Sequence, residues 1–122
     1  MADSFKDLIA WQKAMALAKA VYLKTAGFPS SEVYGLVIQM RRAAVSIASN
    51  IAEGKGRHSQ RDFQHFVVQA RGSLNELETQ LMLSSDLGFL TKEAHSELIS
   101  ACQELGKILS GLINSLAKSA GA

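Results

Sequence analysis

Glu32–Gly56 reads EVYGLVIQMRRAAVSIASNIAEGKG. Val33, Val37, Met40, Ala44, Ile47 and Ile51 recur in it at three- and four-residue intervals, the spacing that puts side chains on one face of an α-helix. The reading is a helix from about Glu32 to Glu53. Gly54-Lys55-Gly56 closes it, glycine being the residue that most easily takes the left-handed conformation of a helix end.

The same rhythm continues on both sides. Upstream, a helix is expected from about Phe5 to Thr25, opened by a capping box at Ser4-x-x-Asp7 and stopped by Gly27-Phe28-Pro29, since proline lacks an N–H and disfavours helix at the residue before it. Leu8, Trp11, Met15, Ala18 and Tyr22 form its main stripe, with Ala10, Ala14, Leu17 and Val21 beside it. Downstream, Ser59-x-x-Asp62 opens a third helix with the stripe Phe63, Val67, Ala70, Leu74, Leu77 and Leu81, ended near Gly88. Thr91 caps a fourth, striped by Leu98, Cys102, Leu105, Leu109, Leu112 and Leu116, with Ser119–Ala122 expected to fray. No segment alternates with period two over the length of a strand. The fold class expected is all-α, an up-down-up-down antiparallel four-helix bundle forming one domain over residues 1–122.

The 122 residues suit one domain, and 48% hydrophobic content with a single proline excludes disordered and collagen-like chains. One cysteine, Cys102, excludes a disulfide framework and a multi-cysteine metal site. No apolar run reaches the ~18 residues of a membrane span. Met1–Lys6 has neither the basic nor the apolar part of a signal peptide. A soluble, cytoplasmic protein is the expectation.

Apolar residues exceed what one seam needs. Leu36, Ala43, Phe66, Ile99, Ile108 and Ile113 flank the stripes; they widen the core face or form a second face for self-association. Charge is segregated as well. Residues 36–71 carry Arg41, Arg42, Lys55, Arg57, Arg61 and Arg71 against Glu53 and Asp62, a net +4, and hold all five arginines. Residues 72–104 carry Lys92 against Glu76, Glu78, Asp86, Glu93, Glu97 and Glu104, a net −5. This polarity suits a nucleic-acid face or the pairing of a basic with an acidic helix.

Catalytic constellations are not evident. His58 and His65 stand seven residues apart, ~10 Å on a helix, too far to ligate one metal. Glu76 and Glu78 point to different sides of a helix. No Glu-x-x-His, phosphate loop or nucleophile elbow occurs, and Cys102 lies on an apolar stripe. No enzyme activity, cofactor or metal is expected.

Two polar features remain. Gln39, Arg42, Ser46, Asn50 and Glu53 follow one another along the second helix, either facing solvent and neighbouring helices or lining a ligand groove. Arg41 or Arg42 is expected to pair with Glu53, Glu76 or Glu78 across helices, Asn50 joining this structural polar network. The turn Lys55-Gly56-Arg57-His58-Ser59-Gln60-Arg61 concentrates cations at a helix N-terminus, whose free N–H groups favour anions. Lys55, Arg57 and Arg61 are the first nucleic-acid candidates, with Arg41, Arg42 and Arg71 behind them. No aromatic residue is interleaved in the turn, against a stacking mode of binding.

Trp11-Gln12-Lys13-Ala14, the block from Phe28 to Gly54, and Gly72-Ser73-Leu74-x-Glu76-x-Glu78-Thr79 together resemble the bacterial four-helix-bundle family named for proteins encoded in intervening sequences of 23S rRNA genes. The resemblance spans nearly the whole chain. It implies a ring-like homopentamer and similarity to the accessory protein of diversity-generating retroelements, which partners a reverse transcriptase and is thought to bind nucleic acid. It implies no catalytic residues. The leading expectation is therefore a non-enzymatic oligomeric module for RNA or DNA; the alternative is a scaffold for a protein partner with no nucleic-acid role.

Overall fold

The computed structural model describes residues 4–121. Among these residues there are four long helices, α1 (Ile9–Thr25), α2 (Ile38–Lys55), α3 (Gln60–Asp86) and α4 (Lys92–Gly121), and no strand. They form a four-helix bundle in which α1 packs on α2 and α4, and α3 on α2 and α4. Opposed pairs run along these seams. Lys13 meets Glu104 and Lys24 meets Glu97 between α1 and α4. Ser46 meets Ser73, and Met40 meets Ser84, between α2 and α3. Gln64 reaches the Ile113 carbonyl between α3 and α4.

The local signals act through identifiable atoms. Ser59 Oγ accepts from the Asp62 N–H at 3.0 Å, and Thr91 Oγ1 accepts from the Ala94 N–H at 3.1 Å, so both expected caps form. Gly88, at φ +82°, ends α3. The Phe89 N–H bonds the Ser84 carbonyl at 2.9 Å and the Gly88 N–H bonds that of Ser85 at 3.0 Å, the paired closure that a left-handed glycine permits. The whole α3 stripe is buried, Phe63 through Leu81. α4 runs on to Gly121, past the expected fraying point at Ser119, while Ala122 and Met1–Asp3 lie outside the described residues.

Three expectations need correction. The first helix does not start as one piece. Phe5–Asp7 make a 3₁₀ turn, Ser4 Oγ accepts from Lys6 rather than from the third residue, and Leu8 is extended before α1 begins. The buried face of α1 is the alanine stripe, with Ala14 and Val21 at 0% exposure, while Met15 and Tyr22 of the larger stripe are nearly half exposed. Ala10, Ala14 and Ala18 of α1 and Ala43, Ala44 and Ala48 of α2 are all in the core, beside the larger Leu17, Met40, Ile47 and Ile51. The second helix is also broken. Ser30–Glu32 form a 3₁₀ turn and Val33–Val37 a π turn around Gly35, whose backbone leaves helical values at φ −106°, ψ −109°. Glu32 accepts from the Leu36 N–H across this break, and Val33, rotated off the stripe, is exposed.

The α2 terminus follows a different logic from the expected one. Gly56 is right-handed at φ −80°. It is Gly54 that the packing requires: a Cβ there would stand 2.6 Å from the Phe66 Cβ and 3.0 Å from a Phe63 ring carbon. The flanking residues Leu36, Ile99 and Ile108 pack against the core, and Ala43 and Ile113 belong to it, so these widen the core stripe.

Candidate nucleic-acid interface

The turn from α2 to α3 gathers Lys55, Arg57, His58 and Arg61 at one end of the bundle. Lys55, Arg57, His58, Ser59, Gln60 and Phe63 line a small hollow of about 110 Å³ there, with no acid in its wall. Arg57 is held from two sides. Its Nη2 donates to Glu53 Oε2 at 2.8 Å, and its guanidinium lies 4.6 Å from the Phe66 ring centroid. Lys55 Nζ stands 5.9 Å from the Phe63 ring. Arg61 is exposed and borders a neighbouring hollow with Ser119. The aromatic partners absent from the turn itself thus come from the first two turns of α3. Phe63 and Phe66 look like core residues in sequence; the signal was that Phe66 sits off the main stripe.

Arg41 and Arg42 border the same hollow but differ in their contacts. Arg41 Nε donates to Thr25 Oγ1 at 3.1 Å, its Nη2 donates to the Tyr22 carbonyl at 3.2 Å, and its guanidinium lies 4.5 Å from the Tyr22 ring. Arg42 is exposed. The expected cross-helix pairing of these arginines with Glu53, Glu76 or Glu78 is therefore replaced. Glu53 holds Arg57 within one turn, Glu76 accepts from Gln80, and Arg41 ties α2 to α1 through a hydroxyl, a carbonyl and a ring. Proximity decides this: Thr25 and Tyr22 end α1 where α2 begins.

The polar stripe of α2 divides in the same way. Ser46 and Ser73 share a hydrogen bond of 2.9 Å across the α2–α3 seam, and Asn50 Nδ2 donates to the Ser46 carbonyl and hydroxyl at 2.9 and 3.1 Å. Ser73 is the partner that sequence reasoning missed. Arg71 borders an open groove between α3 and α4 with Glu78, Cys102 and Lys107. The Cys102 thiol is pushed up to about 12, by burial first and by the Glu78 charge second. Among the described residues no group of three His, Cys, Asp or Glu side chains could hold a metal ion, and no helix is long and apolar enough to cross a membrane.

A second surface lies on α1 and α2. Tyr22, Val33, Tyr34, Ile38, Arg41 and Arg42 border a hollow of about 530 Å³. A further one of about 360 Å³ lies among Trp11, Met15, Lys19, Ala48 and Ala52. Tyr22 and Val45 belong to both.

Comparison with known proteins agrees with the sequence pattern. Residues 6–111 match the model of the family described as 23S rRNA-intervening sequence protein. A solved structure similar to the chain is a protein of unknown function from the S23 ribosomal protein family of Bacteroides thetaiotaomicron, at 23% identity and TM-score 0.78, covering 86% of this chain and 98% of that one. No curated protein matches the chain.

Proposed function

The chain belongs to the 23S rRNA-intervening sequence protein family, and from that premise we propose that it is a non-enzymatic, self-assembling bundle that grips RNA or DNA backbones through the Lys55–Arg61 turn. The observation that carries the reading is the hollow at that turn, walled by Lys55, Arg57, His58, Ser59 and Gln60 without an acid. Cations at a helix N-terminus attract phosphate through charge and free N–H groups together. Such contacts position a backbone without reading bases.

The bundle is up-down-up-down with antiparallel neighbours. Supporting this, rising numbers on one helix meet falling numbers on the next, as Lys13 and Lys24 meet Glu104 and Glu97. Its assembled form is the homopentamer that the resemblance implies, and the exposed apolar side chains of α1 and α2 support assembly. With Arg57 tied to Glu53, one turn offers about two phosphate contacts, through Lys55 and Arg61, so a single copy binds weakly; repetition around an oligomer raises avidity by roughly 10²–10⁴. The buried, protonated Cys102 offers no nucleophile.

The test is titration of labelled single-stranded RNA and DNA at two salt concentrations, with wild type and a Lys55/Arg57/Arg61→Ala variant. Wild type binds with affinity falling at a log–log slope of about −0.7 per phosphate neutralised, and the variant loses most of this. Equal binding by both moves the interface to Arg41, Arg42 or Arg71. No binding by wild type at low salt favours the scaffold for a protein partner.

A further inference from the structure

The α1–α2 groove is apolar, continuous and one-signed. Its two hollows join at Tyr22 and Val45, and the charged residues on its walls are Lys19, Arg41 and Arg42, with no acid among them. Met15, Tyr22 and Val45 are each more than 40% exposed there. The outer face of α3 is its chemical complement. Met82, Leu83 and Leu87 are about half exposed beside the exposed Asp86 and Glu76, and no Lys or Arg occurs between Arg71 and Lys92. At about 100° per residue, Thr79, Met82, Leu83 and Asp86 fall on the side opposite the buried Leu74, Leu77 and Leu81.

We propose that a second copy of this chain seats the outer face of its α3, around Met82, Leu83 and Asp86, in the α1–α2 groove of the first. The proposal rests on the self-assembling reading above and says where copies meet. Charge selects the pairing. Groove against groove would bring Lys19, Arg41 and Arg42 onto their own copies without an acid, and α3 against α3 would oppose Asp86 and Glu76 to themselves. Groove against α3 matches apolar to apolar and cation to anion. The contact is heterologous, joining two different surfaces. Each copy keeps one groove and one α3 face for further neighbours, so the contact repeats until a ring closes. α1 packs on α2 and α4, and α3 on α2 and α4, which places the α1–α2 seam and the outer side of α3 on different sides of the bundle. One copy can therefore hold two neighbours at once.

Sedimentation velocity of wild type, Val45→Lys, Leu83→Lys and their equimolar mixture tests this. Both positions are exposed, so far-UV circular dichroism stays at the wild-type value, while the melting midpoint falls only by what assembly contributes. Each variant alone is monomeric, its dissociation constant raised at least about 30-fold. The mixture forms a two-chain complex and stops there, because the intact groove of one variant takes the intact α3 of the other. Should either variant misfold, the charge pair carries the test: Arg42→Glu and Asp86→Arg each weaken assembly, and the two together restore it. A variant that assembles as well as wild type overturns the interface. So do monomeric variants whose mixture stays monomeric. A wild type that is itself monomeric at high micromolar concentration overturns the self-assembling reading instead.

Discussion

Gly54 of α2 and Phe66 of α3 approach so closely that a methyl group on the glycine would stand 2.6 Å from the Phe66 Cβ. The other face of this contact is functional in the proposed reading, since the Phe66 ring carries the Arg57 guanidinium at 4.6 Å. Gly54→Ala gains about 0.5–1 kcal/mol from replacing a helical glycine and loses about 1–3 kcal/mol to overpacking. The expected net effect is a loss of roughly 1–2 kcal/mol, seen as a lower urea midpoint at unchanged slope. A midpoint at or above wild type would show that α3 moves away from α2 at little cost.

Arg41→Ala and Arg42→Ala should separate clearly. Arg41 makes two charge-assisted hydrogen bonds and a ring contact to α1, one of them to Thr25, which is 2% exposed. Its loss is expected to cost about 1–3 kcal/mol. Arg42 is exposed, and its removal should stay within about 0.5 kcal/mol. Thermal melts of both variants check this; equal midpoints would mean that the Arg41 contacts contribute nothing to stability.

Cys102 sets a pH dependence. Its thiol is pushed from 9.0 up to about 12, chiefly by burial and secondly by Glu78. The folded pKa lies above the unfolded one, so the native state holds this proton more tightly. The contribution is complete below about pH 9 and declines up to about pH 12, at about 1.4 kcal/mol per pH unit. Denaturation of wild type and Cys102→Ala across that range isolates it from the tyrosines and lysines, since only the difference between the two should fall. The native thiol should also resist an aromatic disulfide reagent at pH 8 and react once unfolded; rapid native reaction would contradict the burial.

The helices that are legible are those with one apolar stripe running their whole length. On α3, Phe63, Val67, Ala70, Leu74, Leu77 and Leu81 form that stripe and all six are buried, while the exposed Met82, Leu83 and Leu87 lie only near its C-terminal end. α1 was misread because its apolar residues wrap around it: Trp11, Met15 and Tyr22 compete with Ala10, Ala14 and Leu17, and periodicity cannot rank two adjacent stripes. Which stripe is buried depends on the helices that α1 packs against, α2 and α4. The break at Gly35 was hidden for a related reason, because Val33 and Val37 keep helical spacing whether or not the backbone between them does. At the basic turn the cations were visible in sequence. Their aromatic supports were not, since Phe63 and Phe66 reach Lys55 and Arg57 only after the chain reverses. The arginine partners were misassigned because opposite charge is a weaker guide than adjacency: a hydroxyl and a carbonyl at the end of α1 outcompete distant carboxylates for Arg41.

Glu53 offers the sharpest test of the basic turn. Its carboxylate holds Arg57 at 2.8 Å, with both side chains about half exposed, so the pair itself adds about 0–1 kcal/mol to stability. Its larger effect is on the ligand side. One negative charge beside the hollow repels phosphate, and one of the three leading cations is already occupied. Glu53→Gln keeps the side-chain volume, removes the charge and releases Arg57 while leaving its seat on Phe66. The variant should bind single-stranded RNA more tightly than wild type, and its salt dependence should steepen by about 0.7 in log–log slope, the contribution of one added phosphate contact. Arg57→Ala in the Glu53→Gln background should return the slope to the wild-type value. If Glu53→Gln leaves both affinity and slope unchanged while wild type binds, Arg57 does not touch the ligand, and the interface runs through Lys55 and Arg61 alone.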